Sequence, residues 1–122
     1  MTRRYWERVG GTLLEEYCVV RRGPGVAQRV VDAIIIVDGD RGIASPKKHR
    51  SLNGRDLIVV QTKATRLGMY LLGQAFFSRK LVKDLFSPKS VRTVVLCAGD
   101  DAVLRPIAER YGIEVVVEAA EY

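Results

Sequence analysis

The stretch DLIVVQTKATR, residues 56–66, decides how this chain folds. Residues 57–61 read as a strand, and Gln61 and Lys63 then fall two apart where that strand should end. Residues two apart on a strand share a face. An otherwise apolar strand therefore aims an amide and an ammonium at one spot, which a hydrophobic core has no use for.

Working outward, VVDAIIIV (30–37) is apolar on both faces and predicts a central strand antiparallel to 57–63. The connection between them, DGDRGIASPKKHRSLNGRD, is long for a small domain, a length that is often functional. On the other side, residues 66–86 predict the longest helix. Its inner stripe would be Leu67, Tyr70, Leu71, Gln74, Phe77, Ser78, Leu81 and Leu85, with Arg79, Lys80 and Lys83 opposite. Then come a strand (VRTVVLCAG), a helix in DDAVLRPIAERYG with an Asp near its N-cap and Gly112 past its end, and a closing strand, IEVVVEA. At the start, Tyr5 or Trp6, Val9, Leu13 and Tyr17 recur at helical spacing and predict a helix over 3–17, despite Gly10 and Gly11 in its middle. A short strand, CVVRR, follows and is stopped by GPG at 23–25. The order is αβββαβαβ, an α/β class in a single domain spanning 1–122.

Composition bounds the function. Hydrophobic residues make up 48% and charged residues 28%, a balance that excludes a disordered chain. No apolar run approaches the roughly 18 residues of a membrane span, and the first residues lack the apolar centre of a signal peptide. Cys18 and Cys97 have neither zinc-site spacing nor the number for a disulfide framework. These features predict a cytoplasmic protein with no membrane partner. The net charge is +6, but it is unevenly spread: residues 1–92 carry +10 and residues 93–122 carry −4. A polyanion such as DNA would lie against the first three quarters of the chain.

One polar residue, Asp32, breaks the second strand. A carboxylate there is costly without a charged or metal partner. If strands 30–37 and 57–63 pair, Asp32, Gln61 and Lys63 meet near one sheet edge. A carboxylate plus a carbonyl oxygen suits Mg²⁺ or Mn²⁺. An ammonium beside them orients water or neutralises a phosphate. The plainer alternatives are a buried ion pair of Asp32 with Arg29 or Lys63, a strand-end amide bonding to exposed backbone, and a solvated strand exit at Lys63 and Arg66.

VVDAIII followed by VVQTK resembles the two core motifs of the PD-(D/E)XK nucleases: an Asp on one strand, then an acidic or amide residue two before a Lys on the next. The flanking helices resemble that family's αβββαβ core over roughly residues 3–97. The resemblance implies a restriction-endonuclease-like fold with an extra αβ, a central mixed sheet flanked by helices. Q-x-K is similar to the Mrr-like nucleases, and WERVGGTLLEEYCVVRR looks like the start of the archaeal Holliday-junction resolvases. Carried over, Asp32 is the main metal ligand, Gln61 a second oxygen donor and Lys63 the catalytic lysine. The helix-one acid is Glu7, with Glu15 or Glu16 as alternatives, and Gln74 resembles a glutamine on the helix after the lysine. The chain departs from the family in having Val31 where Pro is usual, Gln61 in place of an acid, and a long connection.

The resemblance implies a metal-dependent DNA endonuclease acting as a homodimer on duplex or branched DNA, within a DNA-processing or defence system. A catalytically inactive nucleic-acid-binding module is the alternative. Arg21, Arg22, Lys47, Lys48, Arg50 and Arg66 are candidate contacts to DNA phosphates, and such contacts position a protein without reading bases. His49, the only histidine, reads as a surface residue.

Overall fold

The computed structural model describes residues 1–118. The elements are α1 (Thr2–Val9), β1 (Thr12–Val20), β2 (Arg29–Ile36), β3 (Gly42–Ala44), β4 (Asp56–Arg66), α2 (Met69–Phe86), β5 (Ser90–Gly99), α3 (Leu104–Arg110) and β6 (Ile113–Val117), with a 3₁₀ turn at Pro46–Lys48. They form a six-stranded mixed sheet ordered β3-β1-β2-β4-β5-β6. β2 is antiparallel to β1 and β4, while β5 is parallel to β4 and β6. Buried Leu13, Ala33, Ile35, Val60 and Val94 gather with Tyr5 on the α1 face. On the opposite face Leu14, Ile34, Ile36 and Val59 gather with Val82 of α2, and Val95 and Cys97 with Leu71 and Ala75.

The first predicted helix is corrected. It stops at Val9, not residue 17, because Gly10 and Gly11 take φ of 77° and 80°, which no helix continues. The chain reverses there, so β1 starts at Thr12 and carries Glu15 and Glu16, which the sequence placed in the helix. Gly11 is also forced by space, since a Cβ would lie 2.5 Å from the Ile36 carbonyl oxygen.

The inner stripe of α2 is corrected too. Leu71, Ala75, Ser78 and Val82 are buried, while Tyr70, Phe77 and Leu85 are exposed. The helix is apolar on a wider arc than one sheet contact needs, so the stripe alone did not say which edge faces in. The predicted α3 begins later, at Leu104, with Asp101 Oδ1 accepting from the Val103 and Leu104 amides at 2.9 Å each. The long connection holds one edge strand, β3, parallel to β1. Ala119, the last residue of the predicted closing strand, lies outside the described residues. No helix among the described residues is long and apolar enough to cross a membrane.

Candidate active site

The sheet forks. β2 pairs with β4 only from Ala33–Val60 to Ile36–Leu57. Beyond that, β2 continues on β1 through Val31 and Val30, while β4 continues on β5 through Gln61, Thr62 and Lys63. Asp32 and Gln61 are the first residues past the last pair, and side chains there take over from the interrupted ladder. Gln61 Oε1 accepts from the Asp32 amide at 3.4 Å, and Asp32 Oδ2 accepts from the Thr62 amide at 2.8 Å and its hydroxyl at 3.1 Å. Each oxygen satisfies a backbone donor that the parted strands leave behind.

The fork is accompanied by a kink. Glu16, on β1 between the pairs Glu15–Ala33 and Tyr17–Val31, has φ 51°, the left-handed region that a residue with a side chain rarely adopts. Alternation slips across it: Tyr17 shares a cluster with Leu14, and Val31 with Ile34, each three residues apart. A regular β2 would put Asp32 on the face of Ile34 and Ile36, under α2 with Gln61. The slip turns its carboxylate to the α1 side, beside Thr62.

Asp32 and Gln61 are therefore neighbours through backbone but open onto different faces. Gln61 is buried and donates from Nε2 to Ser78 Oγ of α2 at 2.8 Å. It lines a cavity of about 550 Å³ with Gln74, Tyr70 and Arg29. Lys63 is exposed and pairs in register with Cys97, whose cluster lies under α2, so alternation places it on the Gln61 face. Among the described residues neither Asp32 nor Lys63 forms a salt bridge, and Arg29 donates to the Gln28 carbonyl instead. Asp32, Gln61 and Lys63, expected to meet near one sheet edge, lie instead at a fork between the inner strands β2 and β4, with Gln61 and Lys63 on one face and Asp32 on the other.

On the α1 side, Asp32, Glu15, Glu16, Thr2 and Thr62 line a cavity of about 360 Å³. Its walls offer carboxylate and hydroxyl oxygens, a donor set suited to a hard cation. Glu15 is shared with Arg3, whose guanidinium donates to both its oxygens at 2.9 and 3.3 Å. Among the described residues no three His, Cys, Asp or Glu side chains stand close enough to hold one ion together. Mg²⁺ commonly takes only one or two protein carboxylates and keeps several waters, so the set still fits it. Glu7 is not part of this cavity. It lies exposed five residues farther along α1, roughly 7–8 Å down the helix axis, where its carbonyl accepts from Arg41 at 3.1 Å. The chain reversal after α1 brings Glu15 and Glu16 back toward Thr2 and leaves Glu7 at the far end.

The basic candidates separate. Arg21, Lys47 and Arg50 line one cavity of about 410 Å³, while Arg22, Lys48 and Arg66 are exposed outside it. Thr62 and Ser78 carry bonds that the sequence did not assign. Thr62 could have been suspected from its place between Gln61 and Lys63, whereas nothing in the sequence marks Ser78 as the partner of Gln61. Comparison with protein-family models, curated proteins and solved structures returns no match to this chain.

Proposed function

We propose that this chain is a metal-dependent DNA endonuclease on a restriction-endonuclease-like core, similar in motif to the Mrr-like nucleases and Holliday-junction resolvases. One observation carries it: the sheet forks at Asp32 and Gln61, with Lys63 two residues along one arm and three carboxylates around one cavity at the other. Asp32, with Glu16 or Glu15, would hold Mg²⁺ or Mn²⁺. Bound there, the ion supplies an activated water and draws charge from a phosphate.

The residues of the chain do the rest. The two donations from Thr62 orient the Asp32 carboxylate by Oδ2 and leave Oδ1 without a hydrogen bond among the described residues. Gln61, held by Ser78 and the Asp32 amide, fixes the spacing of the two arms and is a positioning residue. Past the residues that bridge it, the fork parts into the β1–β2 and β4–β5 arms, and a phosphate bound at its mouth would have Asp32 on one arm and the ammonium of Lys63 on the other. Lys63 then offsets the charge that builds on the phosphate. Gln74 lines the Gln61 side of the gap. The active form is a homodimer, since cutting both strands takes two such sites.

The test is cleavage of supercoiled plasmid and a four-way junction with Mg²⁺ or Mn²⁺ against EDTA, beside Asp32→Asn and Lys63→Ala. The reading expects metal-dependent cleavage that both substitutions reduce more than 100-fold, on the order of the contribution of one transition-state contact. Cleavage surviving both substitutions, or no cleavage with either metal, overturns it. A specific observation favours the alternative of a non-catalytic nucleic-acid-binding module: Asp32 and Gln61 already close the fork through backbone bonds, with the carboxylate and Lys63 on different faces. DNA binding without cleavage, unchanged by Asp32→Asn, would establish that module.

A further inference from the structure

Three cations from two separate segments line one cavity without an acidic residue among its walls. Arg21 directly follows β1, Lys47 lies in the 3₁₀ turn and Arg50 just after it, and all three line the cavity of about 410 Å³ together with Gln28. Some arginines elsewhere are matched, as in Arg3 with Glu15, Arg55 with Asp38, Arg92 with Glu114 and Arg105 with Asp100, while others, such as the exposed Arg22 and Arg66, have no such partner among the described residues. Among the described residues, Arg21, Lys47 and Arg50 have no side-chain hydrogen bond or ion pair of this kind. Like charges gathered around one concavity repel, and the fold holds them there without a protein anion to relieve it.

The cavity is built and anchored. The Tyr17 hydroxyl donates to the His49 carbonyl at 2.8 Å and is 3.3 Å from the Arg50 carbonyl, tying the basic loop to β1. The Tyr17 ring stands edge-on to Phe86 at 6.0 Å, which gives the cavity a buried aromatic wall. Its position is also informative. Val19 lines both this cavity and the one holding Gln61, Gln74 and Arg29, so the two share a wall beside the fork.

We infer that the Arg21–Lys47–Arg50 cavity is a phosphate subsite, holding a backbone phosphate of the nucleic acid next to the one lodged in the fork. It deepens the nuclease reading and rests on it for the direction of the strand, but it requires no metal and no cleavage. Guanidinium and ammonium donors suit phosphate oxygens in any sequence, so the subsite sets register along the strand and not base preference.

The test is made in EDTA, where catalysis is silent. Binding of a labelled duplex oligonucleotide is measured against salt for the parent, for Arg21→Gln/Lys47→Gln/Arg50→Gln, and for Lys80→Gln/Lys83→Gln/Lys89→Gln, an equal charge change at exposed positions on and just beyond α2. Thermal melts confirm that each variant is folded, and the three single cavity variants serve if the triple is not. The cavity triple should lower the slope of log affinity against log salt by about 1, the loss of one phosphate contact, and the control by less than about 0.5. An equal loss in both triples, or none in the cavity triple, overturns the subsite. Amide spectra then identify the phosphate source. The oligonucleotide should shift Cys18, Arg21, Lys47 and Arg50, whereas shifts there with inorganic phosphate or a mononucleotide and none with the oligonucleotide overturn the nucleic-acid assignment. Retained oligonucleotide shifts in a protein that never cleaves would remove the nuclease reading and keep the subsite.

Discussion

Asp32 carries two duties that substitution can separate. Its Oδ2 serves the Thr62 amide and hydroxyl, and in the proposed reaction the same carboxylate holds the metal. Asp32→Asn keeps an acceptor for Thr62 and removes the charge, so stability in urea should stay within about 1 kcal/mol while cleavage is lost. Asp32→Ala should cost roughly 1 kcal/mol more than the Asn variant, because both Thr62 donors then turn to water. Equal melting midpoints for the two would show that the Thr62 bonds contribute nothing. Gln61 is buried at 4% exposure and its amide is used at both ends. Ser78→Ala should destabilise by about 1–3 kcal/mol, the cost of orphaning a buried donor. Ser78→Ala on a Gln61→Leu background should cost clearly less, and an additive double variant would deny that the two residues interact. The sequence identified Asp32, Gln61 and Lys63 as one constellation. It did not foresee that Asp32 turns away from the other two, because counting by twos assumes an unbroken strand and nothing about Glu16 announces a left-handed backbone.

Among the elements, the first helix was misread for a physical reason. Val9, Leu13 and Tyr17 are spaced by four, which fits a helical period of 3.6 and also a strand period of two. Only Gly10 and Gly11 distinguished the cases, and their φ values show that they end the helix. Gly11→Ala should therefore destabilise by at least the roughly 1–3 kcal/mol of a strained φ, since its Cβ would also meet the Ile36 oxygen; a thermal melt matching the parent would contradict this. The strands at 30–37, 57–63, 91–99 and 113–117 and the antiparallel pairing of the first two were legible, because their apolar runs are bounded by glycine, aspartate and serine, whereas the first half of β1 and the parallel pairings of β5 were not. At the β5–β6 edge, the Arg92 guanidinium beside Glu114 holds that carboxyl below its usual range. A depressed carboxylate stabilises above its unfolded pKa, and that contribution is lost as pH falls through the folded value. Glu114→Gln should thus make the melting temperature fall less steeply between neutral and acid pH. The effect should be no more than about 1 kcal/mol for so exposed a pair.

Over the whole molecule, the predicted asymmetry of charge has a spatial counterpart. The unmatched cations Arg21, Lys47 and Arg50 gather beside the fork, while Glu114, Glu109 and Asp100 near the β6 edge are matched by arginines. α2 exposes Tyr70, Phe77 and Leu85 by 74%, 66% and 53%, the first two at the rim of the Gln61 cavity. In the proposed homodimer these exposed apolar side chains would form the contact. Sedimentation should then find a dimer, and Phe77→Glu should give a monomer whose melt is nearly unchanged, since an exposed site contributes little to the folded subunit. A parent that sediments as a monomer ends that assignment.

The fork also makes the protein a reporter of its own occupancy. In an unbroken sheet, inner-strand amides exchange slowly with solvent deuterium; here each arm past Ala33 and Val60 keeps a neighbour on one side only. Alternate amides facing the gap should exchange far faster than those a few residues back, except at Asp32 and Thr62, which borrow side-chain oxygens. Whatever lodges between the arms must slow that exchange, so isotope uptake along two short strand segments would reveal a bound molecule without any label, cofactor or turnover.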